Sequence, residues 1–165
     1  MSIEAASVAA AALVGLGATL LLDLWSLFLQ RAFKIPFPNL CLLGRWLRHM
    51  PAGRFAHASI ASATPKRSEC TVGWIAHYAI GVVFALVFVP LAPAGWLARP
   101  TLLPALLFGV VTVLLPYLIM QPAYGLGVAA SKSPNPAAAR LKTLMSHGVF
   151  GLGLYLTAVA ASNLR

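Results

Sequence analysis

Three ionisable side chains stand inside long apolar stretches of this 165-residue chain: Asp23, His77 and His147. A charged group at membrane depth costs about 2.5–3.5 kcal/mol even on insertion scales, so each marks a site whose purpose must be explained. One carboxylate and two imidazoles form a ligand set for a transition metal such as zinc, non-haem iron or copper, and two opposed histidines suit axial haem ligation. The same trio suits a proton relay, because imidazole titrates near neutrality and a neighbouring carboxylate moves that titration. Their spacing matches no short metal signature. The structural alternative pairs Asp23 with one histidine and leaves the other polar groups to hydrogen-bond between helices, at about 0.6–2 kcal/mol per bond.

Helical spacing gathers further polar residues around these three. Thr19, Asp23, Ser26 and Gln30 follow i, i+4, i+7, i+11 on one face, and Tyr117, Gln121 and Tyr124 do the same farther along. His77 adjoins Tyr78 and Gly81; Thr143 and His147 lead to Gly151. Both histidines are followed four residues later by glycine, a faint repeat of the kind that marks duplicated helix pairs. The expected ligand-binding or proton-relay set is therefore Asp23, His77, Gln121, His147 and Tyr117, with Asp23, His77 and His147 as the metal-ligating subset.

A second group lies between the first two apolar stretches: Cys41, His49, His57 and Cys70. The spacings do not fit the short paired ligands of structural zinc sites. On the orientation derived below they face a reducing compartment, where disulfides rarely persist, so the cysteines read as free thiols. Arg45, Arg48 and Arg54 suit anionic lipid headgroups, at about 1 kcal/mol each. No Gly-rich phosphate loop, Ser-His-Asp order or zinc-protease helix motif is present.

These residues must be positioned by elements that composition defines well. Hydrophobic residues make up 60% of the chain and charged ones 9%, whereas a soluble domain carries about a quarter charged residues. That leaves a bilayer as the solvent for its outside. Apolar segments at about 5–29, 72–91, 102–121 and 137–162 each approach the ~20 residues a helix needs to cross a hydrocarbon core. The fold class is all-α, with four transmembrane helices in a single membrane domain. Pro116 lies inside the third span and should kink it unless neighbouring groups satisfy the freed carbonyl; Asn135 and Pro136 read as N-cap and first residue of the fourth. The N-terminus carries Glu4 in place of a basic n-region and reads as a retained helix.

The loop at about 30–71 is too long for a simple connection. Pro36, Pro38 and Asn39 mark a break, and Leu40, Leu43, Trp46, Leu47 and Met50 then recur at helical spacing against Arg45, Arg48 and His49. A short interfacial amphipathic helix follows, ended by Pro51 and Gly53. The net charge of +9 sits between spans, without the interleaved stacking aromatics of a nucleic-acid groove, so nucleic acid is excluded as a partner. Arg31, Lys34, Arg45, Arg48, Arg54, Lys66 and Arg67 fall in the first loop and Lys132, Arg140 and Lys142 beside the last span, against Arg99 and Arg165 on the other side. The positive-inside rule puts both basic loops in the cytoplasm and both termini outside it. Trp96 reads as an interfacial anchor.

Asp23-Leu24-Trp25, Gly44-Arg45-Trp46 with His49, Gly53-Arg54-Phe55, His57-Ala58-Ser59-Ile60 and Gly73-Trp74-Ile75-Ala76-His77-Tyr78 together resemble a family of small bacterial membrane proteins, domain of unknown function 2938. Met120-Gln121-Pro122 and Ser146-His147-Gly148-Val149-Phe150-Gly151 extend the resemblance over nearly the whole chain. It implies a bacterial inner-membrane location and carries no activity to any residue. The leading expectation is a binding or transport protein whose inner-leaflet polar cluster holds an ion, metal, haem, other cofactor or small ligand. The alternatives are an accessory subunit packed on a membrane-protein partner, and an interfacial enzyme acting on a lipid headgroup or quinone with a histidine as base.

Overall fold

The computed structural model describes residues 3–163 and is helical throughout, with no strand among the described residues. Arg165, counted on the outer side in the charge argument, lies outside them, as does the side chain of Glu4. Its elements are α1 (Ile3–Phe33), α2 (Leu40–His49), α3 (Glu69–Leu91), α4 (Leu102–Val111), a π-helical stretch (Pro116–Met120), α5 (Gln121–Ala123) and α6 (Pro136–Asn163), with short 3-10 turns at Met50–Ala52 and Val128–Ala130. Four helical segments are long and apolar enough to cross a membrane: Ser7–Phe33, Glu69–Leu91, Leu102–Ala123 and Pro136–Asn163. Their outward side chains are apolar too. Leu13, Leu20, Ile75, Val83, Leu103 and Leu107 are all exposed, a surface that water does not tolerate over so large an area.

The chain divides into two compact units. The first comprises residues 1–37, 78–111 and 146–165, and so holds α1, α4 and the C-terminal parts of α3 and α6. Its core is Val14, Ala18, Ala85, Phe88, Trp96, Ala105, Phe150, Leu154 and Ala158. Small residues set the helix spacing, since lipid-facing helices associate by close backbone packing and not by hydrophobic exclusion. A Cβ on Gly15 would lie 2.6 Å from the Gly81 carbonyl oxygen, and one on Gly109 would lie 2.6 Å from the Gly151 Cα. The Trp96 expectation is corrected: this side chain is 3% exposed, with its ring 4.7 Å from that of Phe88 and its indole N–H donating to the Thr101 carbonyl at 3.0 Å. It plugs the core of this unit.

The second unit comprises residues 38–77 and 112–145. Asn39 caps α2 by accepting from the Cys41 N–H at 3.1 Å, and Asn135 caps α6 by accepting from the Ala138 N–H at 3.1 Å. Gly53, at φ +72°, closes the turn after α2. Residues 57–60 run beside the end of the third span, where His57 N–H donates to the Ala123 carbonyl at 2.9 Å and Ile60 N–H to the Tyr124 carbonyl at 3.1 Å. Gly125 is required there, because its φ is +87° and a Cβ would strike the Ala58 carbonyl. At Pro116, where the sequence predicts a kink, the third span is π-helical over Pro116–Met120. Pro116 has no N–H to donate, and its own carbonyl accepts from the Gln121 N–H five residues on, so the helix widens to π geometry.

Candidate functional site

In the first unit, the Tyr78 hydroxyl donates to Asp23 Oδ2 at 2.9 Å. The carboxylate is half-buried, and a charge-assisted bond from a neighbouring helix is the kind of partner it needs at that depth. One turn away on α1, Thr19 is 1% exposed and donates to the Gly15 carbonyl at 2.8 Å. His147 is hydrogen-bonded to the Gly109 backbone, where α4 and α6 meet glycine to glycine.

The second unit holds His77, Tyr117 and Gln121. The His77 ring stands edge-on to Trp74 at 6.1 Å. Tyr117 donates to the Arg140 carbonyl at 2.7 Å, and the Arg140 Nε donates to the Ala129 carbonyl at 2.8 Å, so this tyrosine secures the start of α6. Gln121 is 5% exposed and its Nε2 donates to Thr143 Oγ1 at 3.2 Å. Thr143 gives its own proton to the Ala139 carbonyl at 2.9 Å, so Thr143 Oγ1 must accept, which fixes the amide orientation. Gln121 Oε1 then points away from Thr143, buried and without a hydrogen-bond partner. Among the described residues, no group of three or more His, Cys, Asp or Glu is placed to hold a metal ion.

The basic loop contains a heavily bonded side chain, Arg45. Arg45 makes a bidentate pair with Glu69, Nε to Oε2 at 2.9 Å and Nη2 to Oε1 at 2.7 Å, and its Nη1 reaches the carbonyls of Ile60, Ala61 and Ala63 at 3.3, 2.9 and 3.1 Å. The Glu69 hydrogen bonds hold the guanidinium more firmly protonated than usual. Arg45 thus ties α2, the loop and the first turn of α3 together, whereas Arg48 and Arg54 are exposed. His49, 2% exposed, lies with Nε2 3.0 Å from the Thr64 carbonyl, and its ring stands edge-on to His57 at 4.9 Å. Both His57 ring nitrogens are buried without partners. Burial lowers the His57 pKa, and electrostatic repulsion from His49 and Arg54 adds to it. Burial likewise raises the Tyr124 hydroxyl, whose ring packs on Trp46 at 5.7 Å.

The free-thiol expectation is overturned: Cys41 and Cys70 form a disulfide, with Cα atoms 3.9 Å apart. The sequence contains a signal for this contact. Leu40-Cys41-x-x-Gly44 and Glu69-Cys70-x-x-Gly73 repeat one pattern at the starts of two helices, and each glycine supplies the gap that the other helix backbone fills. A Cβ on Gly44 would strike the Glu69 carbonyl, and one on Gly73 would strike the Leu40 carbonyl.

No curated protein and no solved structure matches the chain. The family model described as protein of unknown function (DUF2938) matches residues 12–161, and the chain belongs to that family.

Proposed function

We propose that this protein is an inner-membrane binding or transport protein, with its basic loops in the cytoplasm, and that Gln121 is an acceptor for a small ligand donating a hydrogen bond or carrying positive charge. The observation that carries this reading is the buried, unpartnered Gln121 Oε1. Leaving such an acceptor unsatisfied costs about 1–3 kcal/mol, a cost that a bound donor or cation removes. The π-helical stretch that ends against Gln121 supports the same reading, since π segments inside α-helical spans concentrate at functional sites. His77 and Tyr117, which lie in the same unit as Gln121, are the further polar groups proposed for this role. The exposed guanidinium groups of Arg48 and Arg54 suit anionic headgroups at the cytoplasmic surface.

The test is thermal stability in nanodiscs, with ammonium, methylammonium, sodium or potassium ions added, for wild type and Gln121→Leu. A ligand at about 100 times its Kd stabilises by about 2.7 kcal/mol. Wild type should gain that stabilisation from at least one probe and Gln121→Leu should lose it. An equal response in both proteins, or none in wild type, removes the basis for assigning Gln121 this role.

A further inference from the structure

We infer that Cys41 and Cys70 are a redox-active pair that opens and recloses by thiol–disulfide exchange with a thiol or dithiol reductant, while the backbones carrying them stay in place. The disulfide is duplicated in by other contacts. Gly44 and Gly73 let α2 and α3 cross at backbone distance, and the contact is reciprocal: a Cβ on Gly44 would meet the Glu69 carbonyl and the Gly73 nitrogen, and one on Gly73 the Leu40 carbonyl and the Gly44 nitrogen. The two C-x-x-G segments are thus related by a local twofold relation at the sulfur bridge. Arg45, one helical turn after Cys41, and Glu69, next to Cys70, close the same contact with a bidentate ion pair. Cutting the bridge leaves these contacts intact, so the thiols remain neighbours and the effective concentration of one at the other stays high.

The positions of the sulfurs favour exchange. Cys41 and Cys70 are each the second residue of a helix, where the helix dipole stabilises a thiolate. A stabilised thiolate is a better leaving group and makes the reduced form more accessible. Cys70 is exposed and Cys41 half-buried. In the proposed step, a reductant thiolate attacks Cys70 Sγ, the Cys41–Cys70 bond breaks, and Cys41 leaves as a thiolate that takes up a proton. A second reductant thiol then attacks its own sulfur in the mixed disulfide, giving the oxidised reductant and releasing Cys70. Two electrons and two protons pass to the protein. With the orientation proposed above the reductant is cytoplasmic, but the exchange chemistry itself does not depend on that orientation.

The test uses the full chain in nanodiscs, equilibrated with mixtures of reduced and oxidised glutathione, quenched in acid, alkylated and weighed by mass spectrometry. The oxidised fraction should fall from about nine-tenths to about one-tenth over an ~80-fold rise in [GSH]²/[GSSG], as a two-electron couple requires. Oxidised glutathione should then restore the bridge without a lasting adduct. Cys41→Ser should instead retain one glutathione on Cys70, and Arg45→Met should reclose at least about tenfold more slowly, since the thiols are no longer held together. A bridge that resists millimolar glutathione until the protein is denatured is a structural staple and overturns the inference, as does reduced wild type that accumulates adducts instead of reclosing. Labelling of the reduced pair in cells with a membrane-impermeant maleimide separately decides the orientation.

Discussion

Replacing Gly44 by alanine tests the close crossing of α2 and α3 most directly. Within a helix, alanine is favoured over glycine by about 1 kcal/mol. At Gly44 the new methyl meets backbone, not a movable side-chain end: the Glu69 carbonyl, the Gly73 nitrogen at 2.6 Å and the Glu69 carbonyl carbon at 2.7 Å. Forced overpacking costs about 1–3 kcal/mol, and a rigid backbone neighbour places this site at the upper end. Separating the helices also stretches the Arg45–Glu69 bonds of 2.7 and 2.9 Å, each charged hydrogen bond being worth about 1.5–3 kcal/mol. A partial loss of one bond outweighs the propensity gain, so Gly44→Ala should destabilise by about 1–3 kcal/mol. Gly148→Ala is the control, because a Cβ there meets nothing within 4 Å, and the propensity term alone should stabilise by about 0.5–1 kcal/mol. Unfolding titrations in mixed micelles, on reduced protein so that the bridge does not mask the contact, should show opposite signs for the two variants. Equal or greater stability of Gly44→Ala with α2 amide protection unchanged would refute the crossing.

Arg45→Met should destabilise the loop by about 2–4 kcal/mol, because it strips Glu69 of its charged partner and three carbonyls of their donor; hydrogen exchange at residues 57–64 is the readout, and wild-type protection there would contradict the clamp. Adding Glu69→Leu to Arg45→Met should recover part of that loss, but not the part due to the carbonyls of Ile60, Ala61 and Ala63. The folded loop resists protonation of His57, whose pKa lies below its ordinary value through burial and electrostatic repulsion from His49 and Arg54. The stability it contributes is complete above about pH 6.5, the unfolded value, and is lost as pH falls from there through the folded pKa. His57→Phe should flatten the pH dependence of loop exchange over that interval, and an unchanged slope would assign it elsewhere.

The elements were legible where one local pattern decides them. Four apolar runs announce four spans, Asn39 and Asn135 announce helix starts, and the Leu40–Met50 periodicity announces α2. Pro116 signals a disturbed third span, but not that its own carbonyl takes a bond from Gln121. The cysteine pairing was missed because compartment reasoning concerned which bond persists, whereas the repeated C-x-x-G pattern concerned which backbones touch. Trp96 was misread because an aromatic near a span end fits an interface as well as a core; Phe88 and the Thr101 carbonyl decide between them.

By itself the sequence determined that the chain is helical, that its exterior is apolar, and that its basic residues collect on two loops, since hydrophobic period, length and charge are properties of neighbouring residues. Tertiary structure alone decided that Arg45 clamps the loop while Arg48 and Arg54 are exposed, that Tyr78 donates to Asp23, and that Gln121 keeps a buried oxygen unpartnered. Those outcomes depend on pairs such as Arg45 and Glu69, 24 residues apart, or Asp23 and Tyr78, 55 apart. Helical periodicity says which face a side chain occupies, but only packing says what stands opposite it.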